Sequence, residues 1–344
     1  GAERVFVDIL NNFKKDDQKI NIITFDKNLK NTFYKLLVKI NFKNFFLNDG
    51  TKSTSLLLFF KKALIIRKFL LQNKNNFFVC FMSSTFLLFA LASFGIKTKI
   101  IASEHMIFQY YKKNWLQLLL FFLLYFKLDK VVVVSDQAKK TFPKFLQKKM
   151  IVINNTILNV KNFNYQNKNK SNKILLNIGR MEDQKDQISL IKIFNNVKKV
   201  IQDAHLNIIG NGNLHLKITQ LIAHYKLQES VTIYDYQEDL SKFYLNSFLY
   251  VSTSKFESHG LTVSEALNYK LPCLAFKSCE GLNNIIINEK NGFLIEDKKN
   301  KIENFSNKII YCLQNPKIIN KISTHIKFSG NNADIYEQWQ NLLN

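Results

Sequence analysis

Two glutamates flank the start of a predicted helix in the C-terminal third of the chain. Glu257 lies in the polar turn that follows an apolar strand, Phe248 to Val251, and Glu265 lies inside the helix that begins near Leu261. The start of a helix leaves backbone N–H groups unpaired and carries partial positive charge, so it can bind an anion. Carboxylates cannot serve that anion, but they can accept hydrogen bonds from hydroxyls. The pattern favours a ligand with both phosphate and sugar hydroxyls, although an acidic residue in a first turn is also favourable on dipole grounds alone.

Two cations follow another predicted strand, Ile174 to Ile178, which ends in Gly179. Arg180 supplies a planar guanidinium and Lys185 a mobile ammonium at the carboxyl end of that strand. This combination can clamp a diphosphate. A solvated loop in a lysine-rich protein is the alternative, and the spacing alone leaves both open.

Two weaker signals also stand at strand ends. Gly210 and Gly212 follow the strand Ala204 to Ile209, where glycines let the backbone approach a ligand but also form ordinary turns. His105 follows the strand Lys99 to Ala102, in the place of a catalytic or substrate-orienting residue, whereas a lone histidine is more often structural. The chain has no D-x-D sequence, so a metal-bridged diphosphate site of that type is not indicated. It also has no Walker A, G-x-S-x-G or H-E-x-x-H sequence.

Strands and helices alternate along the chain, which predicts an α/β protein with doubly wound sheets. The run Val131 to Val134 is typical of a central parallel strand. The predicted organisation is an N-terminal Rossmann-like lobe (1–158), a polar linker (159–173), a C-terminal Rossmann-like lobe (174–330) and a final helix (331–344) that packs back toward the N-terminal lobe. Ligands bind beyond the carboxyl ends of such strands, so we expect the site in the cleft between the lobes.

Two helices of the N-terminal lobe are unusually apolar. The first, Ser55 to Gln72, is predicted to turn Leu57, Phe60, Leu64 and Leu71 inward and Lys61, Lys62, Arg67 and Lys68 outward. The second, Leu116 to Leu128, has 13 residues, fewer than the roughly 20 needed to span a bilayer. It is either a core helix or an interfacial one, and we expect a core helix.

Positive charge is concentrated in the first half of the chain. Residues 1–158 hold 26 Lys/Arg and 9 Asp/Glu, whereas residues 159–344 hold 23 and 17. A basic half indicates an anionic partner, and without a nucleic-acid module signature we predict an anionic membrane surface and no nucleic acid. The four cysteines form no C-x-x-C pair and no signal peptide is evident, so we predict a cytoplasmic location, peripheral on the inner face of the cytoplasmic membrane.

The ordered set of motifs resembles the retaining glycosyltransferases of family 4, which have the GT-B fold, in particular bacterial members that build surface glycans. The resemblance rests on Gly179-Arg180-x4-Lys185, Gly210-x-Gly212, Glu257-x7-Glu265 with Gly260 between, Asn291-Gly292-Phe293-Leu294, and Ser103-Glu104-His105 followed by Val131 to Ser135. It implies transfer of a hexose or N-acetylhexosamine from a nucleotide sugar, expected to be UDP-linked, to a lipid-linked glycan or a lipopolysaccharide- or capsule-type acceptor. The N-terminal lobe then binds the acceptor and the C-terminal lobe the donor, with no metal or other cofactor.

The resemblance also implies a role for each site residue. Arg180 and Lys185 neutralise the donor's diphosphate, and Glu265 holds the ribose hydroxyls. Glu257 faces the transferred sugar, while His105 approaches that sugar from the opposite lobe. The remaining donor-binding residues are Gly179, Gly210, Gly212, Ser258, His259, Gly260 and Leu261. Retention proceeds by front-face attack, in which a donor phosphate oxygen takes the acceptor's proton, so the enzyme supplies positioning and stabilises the charged leaving group.

The chain departs from the family pattern in two places. Ser258 stands where glycine is common, and His259 where an aromatic such as Phe is common, which leaves the choice of sugar open. The opening residues 1–4 resemble the end of the family's glycine-rich turn, so we expect the first strand of the N-terminal lobe to be missing. Two other functions stay open: a non-catalytic basic two-lobed protein that binds nucleic acid or anionic lipid, and a GT-B sugar-nucleotide epimerase.

Overall fold

The chain forms two α/β units. A computed structural model describes residues 2–13, 21–26, 41–48, 56–74, 76–112, 114–157, 173–327 and 332–343. Unit 1 comprises Gly1–Thr156 and Asn331–Asn344, and unit 2 comprises Ile157–Gly330. Both units are built on parallel sheets, which confirms the prediction of two Rossmann-like lobes. The predicted linker lies outside the described residues except for Lys173.

Unit 1 contains a four-stranded parallel sheet with the order β3-β4-β5-β6, while β1 and β2 pair in parallel with each other. Its described strands are β1 (Asn21–Asp26), β2 (Asn41–Asn48), β3 (Phe77–Phe81), β4 (Lys99–Glu104), β5 (Lys130–Val133) and β6 (Met150–Val152). Its described helices are α1 (Ala2–Asn11), α2 (Leu56–Gln72), α3 (Ser83–Ala92), α4 (Phe108–Lys112), α5 (Trp115–Tyr125), α6 (Asp136–Thr141), α7 (Lys144–Gln147) and, at the chain end, α14 (Asn332–Leu343). The valines of β5 are buried, as expected of a β-branched run in a central strand.

The inward face predicted for α2 is wrong. Phe60, Leu64 and Leu71 are exposed, and Ala63, Ile66 and Leu70 face the core instead. Nearly every position of this helix is apolar or lysine, so periodicity does not select a face, and the packing of α2 on α3 decides it. Arg67, predicted to face solvent, donates from Nη1 to the carbonyl of Ala92 at the end of α3 (3.0 Å), where a cation complements the helix dipole.

The expectation of a core helix for residues 116–128 holds for one side only. Phe121, Leu124 and Tyr125 are buried in α5, but Trp115 and Leu123 are exposed. No helix in the described part of the chain combines the length and the apolar character needed to cross a membrane.

The last helix packs within unit 1. The Tyr336 hydroxyl in α14 donates to Asp8 Oδ2 in α1 (2.9 Å), and Trp339 stacks on Phe81 of β3 with ring centroids 5.9 Å apart. Burial and the Asp8 carboxylate raise the pKa of Tyr336, so its hydroxyl stays protonated and serves as a donor. The two ends of the chain therefore belong to the same unit.

The described part of unit 2 contains a six-stranded parallel sheet with the order β12-β11-β10-β7-β8-β9. Its strands are β7 (Ile174–Ile178), β8 (His205–Ile209), β9 (Val231–Tyr234), β10 (Leu249–Ser252), β11 (Cys273–Phe276) and β12 (Gly292–Ile295). Its helices are α8 (Gln187–Val200), α9 (His215–His224), α10 (Ser241–Asn246), α11 (Leu261–Asn268), α12 (Lys301–Gln314) and α13 (Pro316–His325). The chain order reverses at β7, which pairs with β8 on one side and β10 on the other. Ligands of open parallel sheets bind beyond the carboxyl ends of the strands at such a point.

Candidate functional site

Two backbone loops touch at the carboxyl ends of β7 and β8. Met181 N donates to the Asn211 carbonyl (2.9 Å), and Gly179 N donates to the carbonyl of the last residue of β8 (2.9 Å). A Cβ atom on Gly210 would overlap the Gly179 carbonyl oxygen, and one on Gly212 would lie 2.5 Å from the Met181 carbonyl oxygen. Gly210 also has φ of +139°, which residues with a side chain rarely adopt. The close approach of these loops therefore requires both glycines.

The structure brings Lys185 and Glu257 together. Lys185 Nζ lies 2.5 Å from Glu257 Oε1, and the two side chains are only 19% and 12% exposed. The stem of Lys185 crosses Gly179, because a Cβ atom on that glycine would lie 3.2 Å from Lys185 Cδ. The cation expected to bind phosphate and the carboxylate expected to bind sugar are thus each other's partner, 72 residues apart in the chain.

The loops that carry this ion pair are joined independently of it. The Thr253 hydroxyl donates to the carbonyl of Lys185 (3.0 Å), and Lys255 N donates to the carbonyl of Gln184 (2.8 Å). Hydrogen bonds to backbone carbonyls therefore hold together the loops that follow β7 and β10 and that carry Lys185 and Glu257. The relative position of the two charged groups follows from the loops as well as from their mutual attraction.

Arg180 has a different environment from Lys185. Its side chain is 66% exposed, and Nη1 lies 3.3 Å from Glu182 Oε1. An ion pair this open to solvent contributes about 0–1 kcal/mol. Arg180 lies on the same loop as Lys185, and its guanidinium is placed at the surface, where it can turn toward a ligand.

The helix that follows β10 begins at the predicted residue. Gly260 is the N-cap of α11 with φ of +64°, and Leu261 is the first helical residue. Ser258 and His259 are half-buried in the loop just before it. Gly281 was not predicted as a site residue, yet a Cβ atom there would overlap the Glu257 carbonyl oxygen. A glycine beneath the loop therefore lets Glu257 sit against the neighbouring turn.

Glu265 is fully buried in α11, where the Tyr244 hydroxyl donates to its Oε2 (2.8 Å). A second tyrosine bonds to the first turn of the same helix, since the Tyr250 hydroxyl donates to Thr262 Oγ1 (2.7 Å). Burial raises the pKa of Tyr250, which keeps this hydroxyl protonated. Tyr244, Tyr250 and Thr262 were not predicted as site residues. The one available signal was a tyrosine in each of the two segments, α10 and β10, that precede α11. The ribose-binding role of Glu265 stays a prediction.

His105 belongs to unit 1, whereas the other predicted site residues belong to unit 2. It follows β4, where its Nε2 lies 3.0 Å from Ser103 Oγ and its ring stacks on Phe81 with centroids 5.8 Å apart. The preceding residue, Glu104, is buried and accepts hydrogen bonds from Met106 N (2.8 Å) and from the Tyr111 hydroxyl. Burial raises the pKa of Glu104 to about 7.

Among the described residues, no group of three or more His, Cys, Asp and Glu side chains is arranged to hold a metal ion. All four cysteines are buried, and none of them forms a disulfide. The expectation that the reaction needs no metal stays a prediction.

Comparison with known proteins finds a family model that matches most of unit 2. Residues 160–327 match the family described as "Glycosyl transferases group 1". An uncharacterized glycosyltransferase of Haemophilus influenzae is 24% identical over 351 residues, which cover 100% of this chain and 96% of that protein. A Campylobacter jejuni N-acetyl-D-galactosaminyltransferase, whose name gives an undecaprenol-diphosphate-linked glycan as acceptor, is 24% identical over 299 residues, or 86% of this chain and 81% of that one.

The solved structures support the fold. The Anabaena protein Alr3699/HepE, crystallised with UDP and glucose, superimposes with a TM-score of 0.77 and 17% identity, covering 100% of this chain and 95% of that chain. Some other matched structures are longer, and this chain covers 58% to 60% of them. At identities this low the likeness shows the fold alone, and that fold is of the GT-B type.

Proposed function

We propose that this chain, in which residues 160–327 form a glycosyl transferases group 1 domain, is a retaining glycosyltransferase that needs no metal ion. It moves a hexose or N-acetylhexosamine from a UDP-linked donor to a lipid-linked glycan or a lipopolysaccharide- or capsule-type acceptor. The observation that carries the proposal is the partly buried Lys185–Glu257 pair, held between the ends of β7 and β10 beside the start of α11.

The ion pair suits a donor with both a diphosphate and a sugar. The diphosphate takes the place of Glu257 as the partner of Lys185, which frees the carboxylate to accept hydrogen bonds from the hydroxyls of the transferred sugar. The backbone N–H groups at the start of α11, from His259 to Leu261, add further donors to phosphate. The guanidinium of Arg180 reaches the same diphosphate from the surface.

Negative charge develops on the leaving diphosphate as its bond to the sugar breaks, and this arrangement stabilises that charge. Lys185 sits on a loop that is fixed by hydrogen bonds before the donor binds. A cation held in place in this way stabilises developing negative charge without reorganising. A donor phosphate oxygen takes the acceptor's proton, so no general base from the chain is needed.

Similar proteins support the proposed donor and acceptor classes. HepE was crystallised with UDP and glucose, which favours a UDP-linked donor. The Campylobacter jejuni relative acts on a glycan linked to undecaprenol diphosphate, which favours a lipid-linked acceptor. A lipid-linked acceptor places the enzyme on the inner face of the cytoplasmic membrane, where an anionic surface complements the basic first half of the chain. We propose no nucleic-acid partner.

The direct test mixes the purified chain with UDP-glucose, UDP-galactose and their N-acetylated counterparts, together with an undecaprenol-diphosphate-linked oligosaccharide. We expect one donor to be consumed only when acceptor is present, with a product whose new linkage keeps the donor's anomeric configuration by NMR. Inversion at that carbon would contradict the retaining mechanism. A change of the donor sugar without acceptor would indicate an epimerase instead.

A further inference from the structure

One side of helix α5 is apolar and exposed. Trp115, Leu119, Leu123 and Phe126 are 76%, 46%, 60% and 63% exposed. Spacings of four, four and three residues place these side chains on one face of the helix, which we call the α5 face. The opposite side is anchored in the core of unit 1 by Phe121. A surface helix normally turns polar residues outward, so four neighbouring apolar side chains on that side indicate an interaction surface.

The α5 face continues onto the neighbouring helices. Phe94, at the end of α3, is 46% exposed, and Lys127 Nζ lies 4.8 Å from the centre of its ring. Helix α3 packs against both α2 and α5, and α2 exposes Leu64 (66%). On the other side, Phe145 is exposed and stacks on Phe122 of α5 with ring centroids 6.0 Å apart. The apolar surface is therefore broader than one helix.

Most charges around this surface are positive. Residues 56–129 include ten Lys/Arg and two acidic residues. Of these two, Glu104 is buried and Asp129 is exposed and accepts a hydrogen bond from Ile100 N. Lys127 follows the α5 face directly, and Lys149 Nζ donates to the carbonyl of Phe126 (2.9 Å). An apolar helix face bordered by cations fits a partner that has an apolar layer beneath a layer of negative charges.

We propose that the α5 face enters the interfacial layer of an anionic lipid bilayer, with the neighbouring lysines against the headgroup phosphates. Side chains this exposed stand out from the surface rather than line a groove, and tryptophan is enriched at membrane interfaces. A second copy of the chain is a poor occupant, because it would bring like charges together. This inference rests on the proposed function, since a lipid-linked acceptor lies in the same surface, but it is measured without donor or acceptor.

The chain carries its own reporter for this contact. It has two tryptophans, of which Trp115 is 76% exposed and Trp339 is 3% exposed. In a Trp339→Phe variant the fluorescence comes from Trp115 alone. With vesicles of phosphatidylcholine containing about 30% phosphatidylglycerol, we expect a blue shift and quenching by brominated acyl chains, weakened by salt. Pure phosphatidylcholine vesicles should have a much smaller effect. Unchanged emission with the anionic vesicles, together with no co-sedimentation of the unmodified chain, would overturn the proposal.

A matched pair of variants locates the contact. Leu119→Ser, Leu123→Ser and Phe126→Ser together should weaken vesicle binding roughly tenfold or more, because apolar burial drives interfacial binding. The control is Val200→Ser, Leu216→Ser and Ile287→Ser in unit 2, which are 53%, 69% and 51% exposed and should change binding less than about twofold. Equal losses in both variants, full binding by the first variant, or recruitment of the chain only by an acidic protein would contradict the proposal.

Stabilisation by UDP, measured in the same samples as a thermal shift, separates the two hypotheses. If UDP stabilises every variant but no vesicle binds, the α5 face is not a membrane contact and the proposed function stands. If vesicles bind and no nucleotide stabilises the chain, the membrane contact stands and the proposed function fails.

Discussion

Each unit places a half-buried or buried carboxylate near the carboxyl end of a parallel strand, and the two are held in opposite ways. Glu104 is the last residue of β4, whereas Glu257 lies in the loop after β10. In unit 2, Glu257 pairs with Lys185 at 2.5 Å. In unit 1, Glu104 is held by Tyr111 and a backbone N–H, and no described cation forms an ion pair with it. A carboxylate without a cation in the core is costly to ionise, which is why its pKa rises to about 7. The carboxylate near the strand end is therefore paired with a cation in unit 2, whereas in unit 1 it is a structural group that holds the His105 loop.

The largest effect should come from removing the cation of unit 2. Lys185→Met keeps the methylene contacts over Gly179 but deletes the charge, so transfer should fall by about 10²–10³-fold, the usual cost of losing one stabilising group at a developing anion. The matched control is Lys255→Met, because this lysine lies on the adjoining loop and its pair with Asp183 is exposed. Steady-state kinetics measures both variants. Comparable losses in the two would mean that Lys185 has no special role.

The second effect concerns the glycines that position the strand ends. Gly210→Ala forces a Cβ atom onto the Gly179 carbonyl, so we expect a loss of about 2–4 kcal/mol in the free energy of unfolding. Gly95 in unit 1 also has positive φ, +74°, but its Cβ position is open except for an arginine atom 3.9 Å away. Gly95→Ala should therefore cost only about 1 kcal/mol. Denaturant unfolding compares the two, and equal costs would show that close loop contact is not what requires Gly210.

The third effect depends on pH. Glu104 binds its proton more tightly in the folded chain, so its contribution to stability is fully present below pH 4.5 and is lost as the pH rises through about 7. Glu104→Gln mimics the protonated side chain and removes this dependence. Relative to the unmodified chain, the variant should gain stability across that window, by at most about 3 kcal/mol. Thermal unfolding at several pH values, with the exposed Glu337→Gln as control, tests the sign. A gain that shrinks with rising pH would contradict it.

The smallest effect concerns the buried carboxylate of α11. Tyr244→Phe removes the hydroxyl that donates to Glu265 Oε2, which should lower the free energy of unfolding by about 1–2 kcal/mol. Tyr311→Phe, at a half-exposed tyrosine of the same unit, is the control and should be nearly neutral. If Glu265 also binds ribose, Glu265→Gln should raise the donor KM more than Tyr244→Phe does. Equal KM values would leave Glu265 a structural residue.

The strand ends of the site could be predicted from the sequence because glycines and cations after apolar runs mark them. The meeting of Lys185 with Glu257 follows once β7 and β10 are neighbours, since parallel strands bring their carboxyl ends to one edge. The buried face of α2 could not be predicted, because apolar side chains occur on every side of the helix. Only the packing of α2 on α3 decides which of them are buried. The tyrosines around Glu265 were missed for a similar reason, since a buried hydroxyl finds its partner through packing and not through spacing.

Calorimetric titration with UDP and with uridine tests most directly whether Lys185 serves a diphosphate. We expect the unmodified chain to bind UDP more tightly than uridine, and Lys185→Met to weaken UDP binding at least about tenfold while uridine binding stays the same. UDP affinity that is unchanged in Lys185→Met, or no preference of the unmodified chain for UDP over uridine, would contradict this expectation.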